Sequence, residues 1–447
     1  MSAFTCWRRV LLVAACVIPT GCGGGGALRV QDVTPETVPE LESANAQRPG
    51  DAVTLTRLGV GYFRANRYPE ARAVLDSALV IAPQSGIAAI YLGMTAEAQG
   101  DFTTARAAYQ RYIEIGRSNE LRNAARQRLA LVGRRELEYQ ARQALARESE
   151  LSQEPPHPNT IAVMPFAYTG TNAEIAPLSR GFAQLIVTDL AKSRQVTVLE
   201  RERMQAMVDE MRLGEQQRAD PATAARSGRL LRASRVVQGS LTDRDDNLRV
   251  DAAVVDVSTA GIAAPASGEN LLTRLFDLEK QLVYDIFNGL GITLTDAERA
   301  AIEQRPTQNL QAFLAWSRGL EAEDRGDYAG ARDLFEQATR LDPSFMSARQ
   351  SAQEAGDLSN ASAQSATDME ATVTQAAGAE LGSTPPTSDA LNQASAGVTP
   401  SQTPAAGSGT ETGSAPPAPP TTQEHTPGQQ QTLVPQRAVV VIVIRRP

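Results

Sequence analysis

Side chains able to do chemistry are scarce in this 447-residue chain. Lysine occurs only at Lys192 and Lys280, so no GxxxxGK(S/T) phosphate loop can be written, and a Schiff-base lysine has almost no candidates. Histidine occurs only at His157, inside Pro155-Pro156-His157-Pro158, and at His425 in a low-complexity tail. Cysteine occurs only at Cys6, Cys16 and Cys22. A tetrahedral zinc site wants Cys and His at short spacings, and a Ser/His or Cys/His nucleophile wants its base inside a folded domain. Neither arrangement is present. Catalysis by carboxylates alone stays open, but no pair stands out, so neither enzymatic activity nor a cofactor is expected. Lys+Arg total 43 against Asp+Glu 51, a net charge of -8, which lacks the electrostatic footprint that binding a phosphate backbone requires. Nucleic acid is not an expected partner.

Three local patterns invite a site. Thr169-Gly170-Thr171-Asn172 follows a strand and precedes a helix, as phosphate loops do, but it has no GxGxxG spacing and Glu174 adds the wrong charge. Asp243, Asp245 and Asp246 suggest calcium, but Arg244 interrupts them and no EF-hand-like glutamate follows. Tyr62, Arg64, Arg67 and Tyr68 gather near one inter-helix turn, where aromatic residues at helical spacing usually pack rather than bind. No peptide-contact residue is assigned from the sequence.

The first 21 residues read as an export signal, with Arg8 and Arg9 ahead of the apolar run Val10 to Ile18, which is too short to span a bilayer. Pro19-Thr20-Gly21-Cys22 followed by Gly23 to Gly26 resembles the bacterial lipobox, with Pro19 where the family usually has an aliphatic residue. The resemblance implies that Cys22 is the lipid-attachment residue and mature N-terminus, that residues 22–50 are a flexible tether, and that the protein sits on the periplasmic face of the outer membrane. Several acyl chains would make that anchoring effectively permanent. No other segment is long and apolar enough for a membrane-spanning helix.

Residues 51–149 carry a repeat. Leu58, Gly59, Tyr62, Ala71, Leu75, Ala78 and Pro83 have a spacing that resembles the tetratricopeptide repeat, and 34 residues later the pattern recurs as Leu92, Gly93, Ala96, Gly100, Asp101, Ala105, Tyr109 and Tyr112, weakening only at Arg117 where proline would stand. Small residues let paired helices approach and large ones fill the layer between them. Residues 120–149 continue helically without a full signature, as a capping helix pair or one long bent helix. A further unit over 308–355 repeats the spacing with Gly319, Ala322, Gly326, Asp327, Ala331, Phe335, Ala338 and Pro343. One unit cannot bury its own face, so it must dock on the first repeats, the middle domain or a second chain.

Between 158 and 304 strands and helices alternate: Ile161 to Phe166, a helix from Ala176, Val196 to Leu199, helices from Glu200 and from Pro221, then a hairpin of Arg235 to Leu241 and Leu248 to Val257. After Gly261 the chain is expected to run directly into a helix from Leu271. Ile161 to Phe166, Leu199-Glu200-Arg201, Val236 to Ser240 and Ala253 to Thr259 resemble the curli production assembly/transport component (CsgG) family and the N-terminal domain of TolB-like proteins. The resemblance implies a periplasmic α/β domain that, in channel members, forms rings and lends hairpins to an outer-membrane barrel. A barrel strand needs about 9 to 11 residues, and both insertion points are too short for such hairpins.

Residues 356–437 are rich in Ala, Ser, Thr, Gln, Gly and Pro and are expected to be a disordered linker. It leads to a terminal strand segment, 438–447, that pairs with a sheet edge or a partner. The sequence thus predicts α-helical tetratricopeptide units flanking a CsgG/TolB-N-like α/β sandwich domain, with a disordered C-terminal tail. The expected partners are envelope or secreted proteins, with the membrane reached through the lipid and homo-oligomerisation left open. The expected role is a protein-binding scaffold in envelope assembly or secretion, the alternative being a subunit of an oligomeric secretion channel.

Overall fold

A computed structural model of the chain describes residues 29–244 and 247–381. Cys22, the signal segment, the region beyond 381 and the terminal strand segment lie outside these described residues.

The first helical layer consists of α1 (Val38–Gln47), α2 (Ala52–Arg64), α3 (Tyr68–Ile81), α4 (Gly86–Ala98), α5 (Phe102–Ile115) and α6 (Asn119–Ala146). Asp51, Ser85, Asp101 and Ser118 each accept a backbone N–H from the first turn of the helix they precede, which fixes where α2, α4, α5 and α6 begin. The repeat glycines are sites of contact between paired helices. A Cβ on Gly59 would meet Leu75 Cδ2 at 2.5 Å and one on Gly93 would meet Tyr109 Cε1 at 2.7 Å; Gly319 faces Phe335 in the same way. The turn inside each pair needs a left-handed residue, supplied by Asn66, Gly100 and Gly326.

One expectation for this region changes, and one is narrowed. Residues 30–47, within the expected tether, form two 3-10 turns and α1, with Val30, Val33, Val38 and Leu41 buried. They pack because Gly61 on α2 leaves a bare strip against which Val38, Val33 and Leu41 lie. Of the two forms expected after the repeats, the structure has the single long helix, Asn119–Ala146.

The middle domain follows the short α7 (Glu148–Leu151). Its elements are β1 (His157–Val163), β2 (Ala167–Tyr168), α8 (Leu178–Leu190), β3 (Thr197–Val198), α9 (Arg201–Glu210), α10 (Glu215–Arg218), α11 (Pro221–Leu231), β4 (Ala233–Arg244), β5 (Asn247–Asp256), β6 (Ile262–Leu271), α12 (Leu275–Gly289) and α13 (Asp296–Ile302). The strand order is β3-β1-β4-β5-β6, with β2 beside β4; β1 pairs in parallel with β3 and β4, and β4, β5 and β6 are antiparallel. Alternation along the strands makes a sandwich. Ile161, Val163, Val237 and Val254 join the core of α8 and α12, while Ala162, Met164, Val236 and Val255 join that of α9 and α11.

The strand β6 corrects the expected direct run into a helix. Its Ala263-Ala264-Pro265-Ala266-Ser267-Gly268 stretch has poor intrinsic strand preference, and pairing with β5 supplies what propensity lacks. Pro265 is tolerated because β6 is the edge of the sheet, where a missing N–H costs no ladder bond.

The last helices are α14 (Leu310–Asp324), α15 (Tyr328–Leu341), α16 (Met346–Ala363) and α17 (Ala366–Leu381). The isolated repeat docks on two neighbours. Gly181 on α8 lies against Phe313 and Ser317 of α14, so that Phe313, Trp316, Phe335 and Phe345 extend the core of the α/β domain. On its other side Leu358 and Ala361 of α16 meet Leu131 of α6. The order in α16 and α17 corrects the linker expected from residue 356: Met369, Val373 and Ala376 are buried in the core of the first repeats.

Candidate functional site in the repeat groove

The first helices of successive pairs, α2, α4 and α6, build the face that such arrays use for binding. Here that face is covered by α17, which packs on α4 and α6 and beside the turn at Val30–Asp32. Beneath it every residue of α4 from Gly86 to Ala96 is buried, including Ile87, Ile90, Tyr91 and Met94. Burying Met369 and Val373 stabilises the contact by about 1.5–3 kcal/mol each.

Arg64, at the last position of α2, organises the polar side. Its Nε donates to Glu370 at 2.5 Å, its Nη1 to the carbonyls of Val30 (3.0 Å) and Val33, and its Nη2 to Thr374 Oγ1 (3.2 Å) and Tyr91 Oη (3.4 Å). A planar guanidinium with a fixed fork of donors suits this convergence of two backbone carbonyls, two hydroxyls and a carboxylate. Burial pushes the Tyr91 phenol up to about 12, so it stays protonated. Of the aromatic and basic residues singled out in the sequence, Arg67 stacks 4.3 Å over the Tyr62 ring, and both bond Glu42 of α1. Tyr68 donates to Asn66. Tyr62, Arg67 and Tyr68 are therefore packing residues, and Arg64 alone reaches the groove's occupant. Composition does not mark Glu370, Met369 and Val373, which sit in an Ala/Thr/Gln-rich stretch; the apolar spacing of Met369, Val373 and Ala376 is the signal the sequence carries.

The long helix α6 joins the groove to the rest of the protein. Arg128 on its inner side bonds Glu97 of α4 and the carbonyls of Ala361 (3.2 Å) and Gln364 (3.4 Å), satisfying the open C-terminal end of α16. One turn and a half further on, Arg134 bonds Glu323 of α14. There Arg201 of α9 meets Glu323 at 3.3 Å and also Asp324, and Arg180 of α8 lies 3.3 Å from Asp324. Burial raises Glu323, and the neighbouring Arg134 and Arg201 oppose that rise. This cluster ties the repeats, the α/β domain and the C-terminal unit together, with the Arg201, Glu323 and Asp324 side chains buried and Arg134 and Arg180 partly exposed.

Other sequence candidates resolve as internal contacts. The backbone N–H of Thr171 donates to Asp243 at 2.9 Å and Tyr168 Oη bonds the same carboxylate, so Asp243 fills the place an anion would take in that loop. Asp245 and Asp246 lie outside the described residues. Lys280 is buried against Asp189 and Glu279, whose carboxyls burial raises above their ordinary range. His157 begins β1, where its N–H donates to the carbonyl of Arg232. Among the described residues no group of three or more His, Cys, Asp or Glu is placed to hold a metal ion, and no helix is long and apolar enough to cross a membrane.

Residues 56–120 match the tetratricopeptide repeat family, and residues 144–251 match the family described as curli production assembly/transport component CsgG. The second match ends within β5, before β6 and α12 complete the domain. No curated protein matches the chain. Among solved structures, the LpoB C-terminal domain from Salmonella enterica is similar at 14% identity and a TM-score of 0.21, over 28% of this chain and 93% of that one. The chain joins tetratricopeptide repeats to a CsgG-family domain.

Proposed function

We propose that the protein is an outer-membrane lipoprotein that works as a periplasmic protein-binding scaffold in envelope assembly or secretion, anchored through Cys22 and without catalytic activity of its own. The observation that carries this reading is the joint itself. The groove of the repeats and the CsgG-family domain are held together through α6, whose Arg134 reaches the buried Arg201, Glu323 and Asp324 side chains. Such a joint suits a part that must present one bound protein to another, whereas domains with independent roles are usually linked by exposed, flexible segments.

The alternative, a subunit of a secretion channel, has less support. Antiparallel pairing closes from Arg244 to Asn247 across residues 245 and 246, and β5 passes to β6 through residues 257–261. Neither connection holds two strands of about 9 to 11 residues. The test is the mass, by light scattering, of the complex extracted from membranes in mild detergent. A stoichiometric complex with another protein is expected; a large ring of identical copies would overturn the scaffold reading. For the anchor, a Cys22→Ala variant should leave the membrane fraction, and one that stays there would refute acylation at Cys22.

A further inference from the structure

We propose that α17 is an intramolecular stand-in for a helical partner, and that the groove it covers binds amphipathic helices of the same chemistry. This rests on the protein-binding reading above and names its partner class: apolar side chains spaced as Met369, Val373 and Ala376, with a carboxylate beside the first to meet Arg64. Four observations support it.

The occupant is a separate element. Gln364 leaves α16 in an extended conformation, and Ser365 begins a new helix, its N–H donating to Asp368 at 2.8 Å and its Oγ accepting from the Asp368 N–H at 3.2 Å. A change at two linker residues is therefore enough to lift α17 without disturbing α16, whose last turn is held by Arg128 at the carbonyl of Ala361.

The occupant is also a marginal helix on its own. Its alanines favour helix, but Thr372, Val373, Thr374 and Gly378 lower the preference, and a helix of 16 residues draws most of its stability from tertiary packing. Docking in the groove therefore supports its helical state, and release favours unfolding.

The floor beneath is unsuited to water. The helix α4 lacks a polar face from Gly86 to Ala96, and departure of α17 would uncover apolar surface, the usual mark of an interaction site. A stable open state therefore needs a replacement ligand.

Finally, the polar contacts can be reproduced by a partner. Arg64 offers its Nε to a carboxylate and Nη2 to a hydroxyl on α17, while its Nη1 stays anchored by the carbonyls of Val30 and Val33. The guanidinium keeps its orientation when α17 leaves, ready for another acidic helix.

The probe is a fluorescein-labelled peptide of residues 366–381, followed by anisotropy against full-length protein. Wild type should bind it at least tenfold more weakly than a Met369→Asp/Val373→Asp variant, whose own α17 cannot dock while its groove is untouched. A milder Glu370→Lys variant, altered only at the rim, should show a severalfold gain and guards against loss of the fold. A peptide carrying Glu370→Lys should bind the double variant at least tenfold more weakly than the natural peptide.

The proposal falls if variants that remain folded by circular dichroism, with α17 amides rapidly exchanging, bind the peptide no better than wild type. It falls also if wild type is a dimer whose α17 crosslinks to the partner copy's groove, since the occupant then comes from a second chain. Because the peptide is the chain's own, failure to find an envelope complex leaves this test intact. Failure of the peptide would remove the groove assignment while leaving other faces free to bind proteins.

Discussion

Arg64 and Glu370 stand 306 positions apart and meet at 2.5 Å, closing the C-terminal helix over the first repeats. The contact is partly shielded, with side-chain exposures of 15% and 24%. It joins a helix of the first repeat to a segment whose composition alone predicts a linker.

Replacing Glu370 by Gln keeps a hydrogen-bond acceptor and removes the charge. The expected loss is about 1 kcal/mol, in the range of a partly exposed, charge-assisted pair. Hydrogen exchange should show faster labelling confined to 366–381, with the midpoint of global thermal unfolding almost unmoved. Uniform loss of protection across the repeats would contradict a locally docked helix.

Arg201 is different because its partners are buried. An Arg201→Met variant fills the volume but leaves Glu323 and Asp324 with less counter-charge, and the expected cost is about 3–5 kcal/mol. Urea unfolding should show the loss, with the repeats and the α/β domain unfolding further apart in urea than they do in the wild type. A variant that unfolds at wild-type urea concentrations would show the cluster to be dispensable.

Glycines give a paired test with opposite signs. Gly93→Ala drives a Cβ into the Tyr109 ring and should cost about 1–3 kcal/mol. Gly133→Ala, on α6 with open space around it, should instead stabilise by about 0.5–1 kcal/mol through helix preference. Equal effects on thermal unfolding would sink the assignment of Gly93 as a close-approach residue.

Burial pushes Glu279 up to about 8, from an ordinary 4.5, with Asp189 and Lys280 as its charged neighbours. An acid whose native pKa is raised holds its proton longer when folded, so its stabilising contribution is complete below pH 4.5 and is lost as pH rises through the native value. A Glu279→Gln variant lacks this loss. Its thermal midpoint should gain on wild type steadily from pH 5 to pH 8, and a gap that stays constant with pH would show that Glu279 does not titrate there.

Much of the helical architecture was legible because repeats write their packing into a fixed period. Gly59 with Leu75, Gly93 with Tyr109 and Gly319 with Phe335 are the same contact three times, and periodic small and large residues are what such contacts require. The hairpin of β4 and β5 was likewise legible from two apolar runs on either side of a charged turn. By contrast β6 was hidden, since Ala, Pro, Ser and Gly hold a strand only when a neighbour supplies the ladder. The helix α6 carried no third signature because its faces and ends serve different neighbours: Val132 the repeats, Leu131 the C-terminal unit and Ala141 the α/β domain.

The sequence by itself determined the repeats, the α/β domain and the absence of clustered His, Cys and Lys chemistry, all of which depend on residue type and short-range spacing. Only the tertiary structure decided that residues 30–47 pack against α2, that the isolated repeat docks on both α8 and α6, and that the binding face of the first repeats is closed by α17. Those outcomes rest on contacts between distant segments, whose free energy comes from burying each other's surfaces and leaves almost no periodic trace in either one.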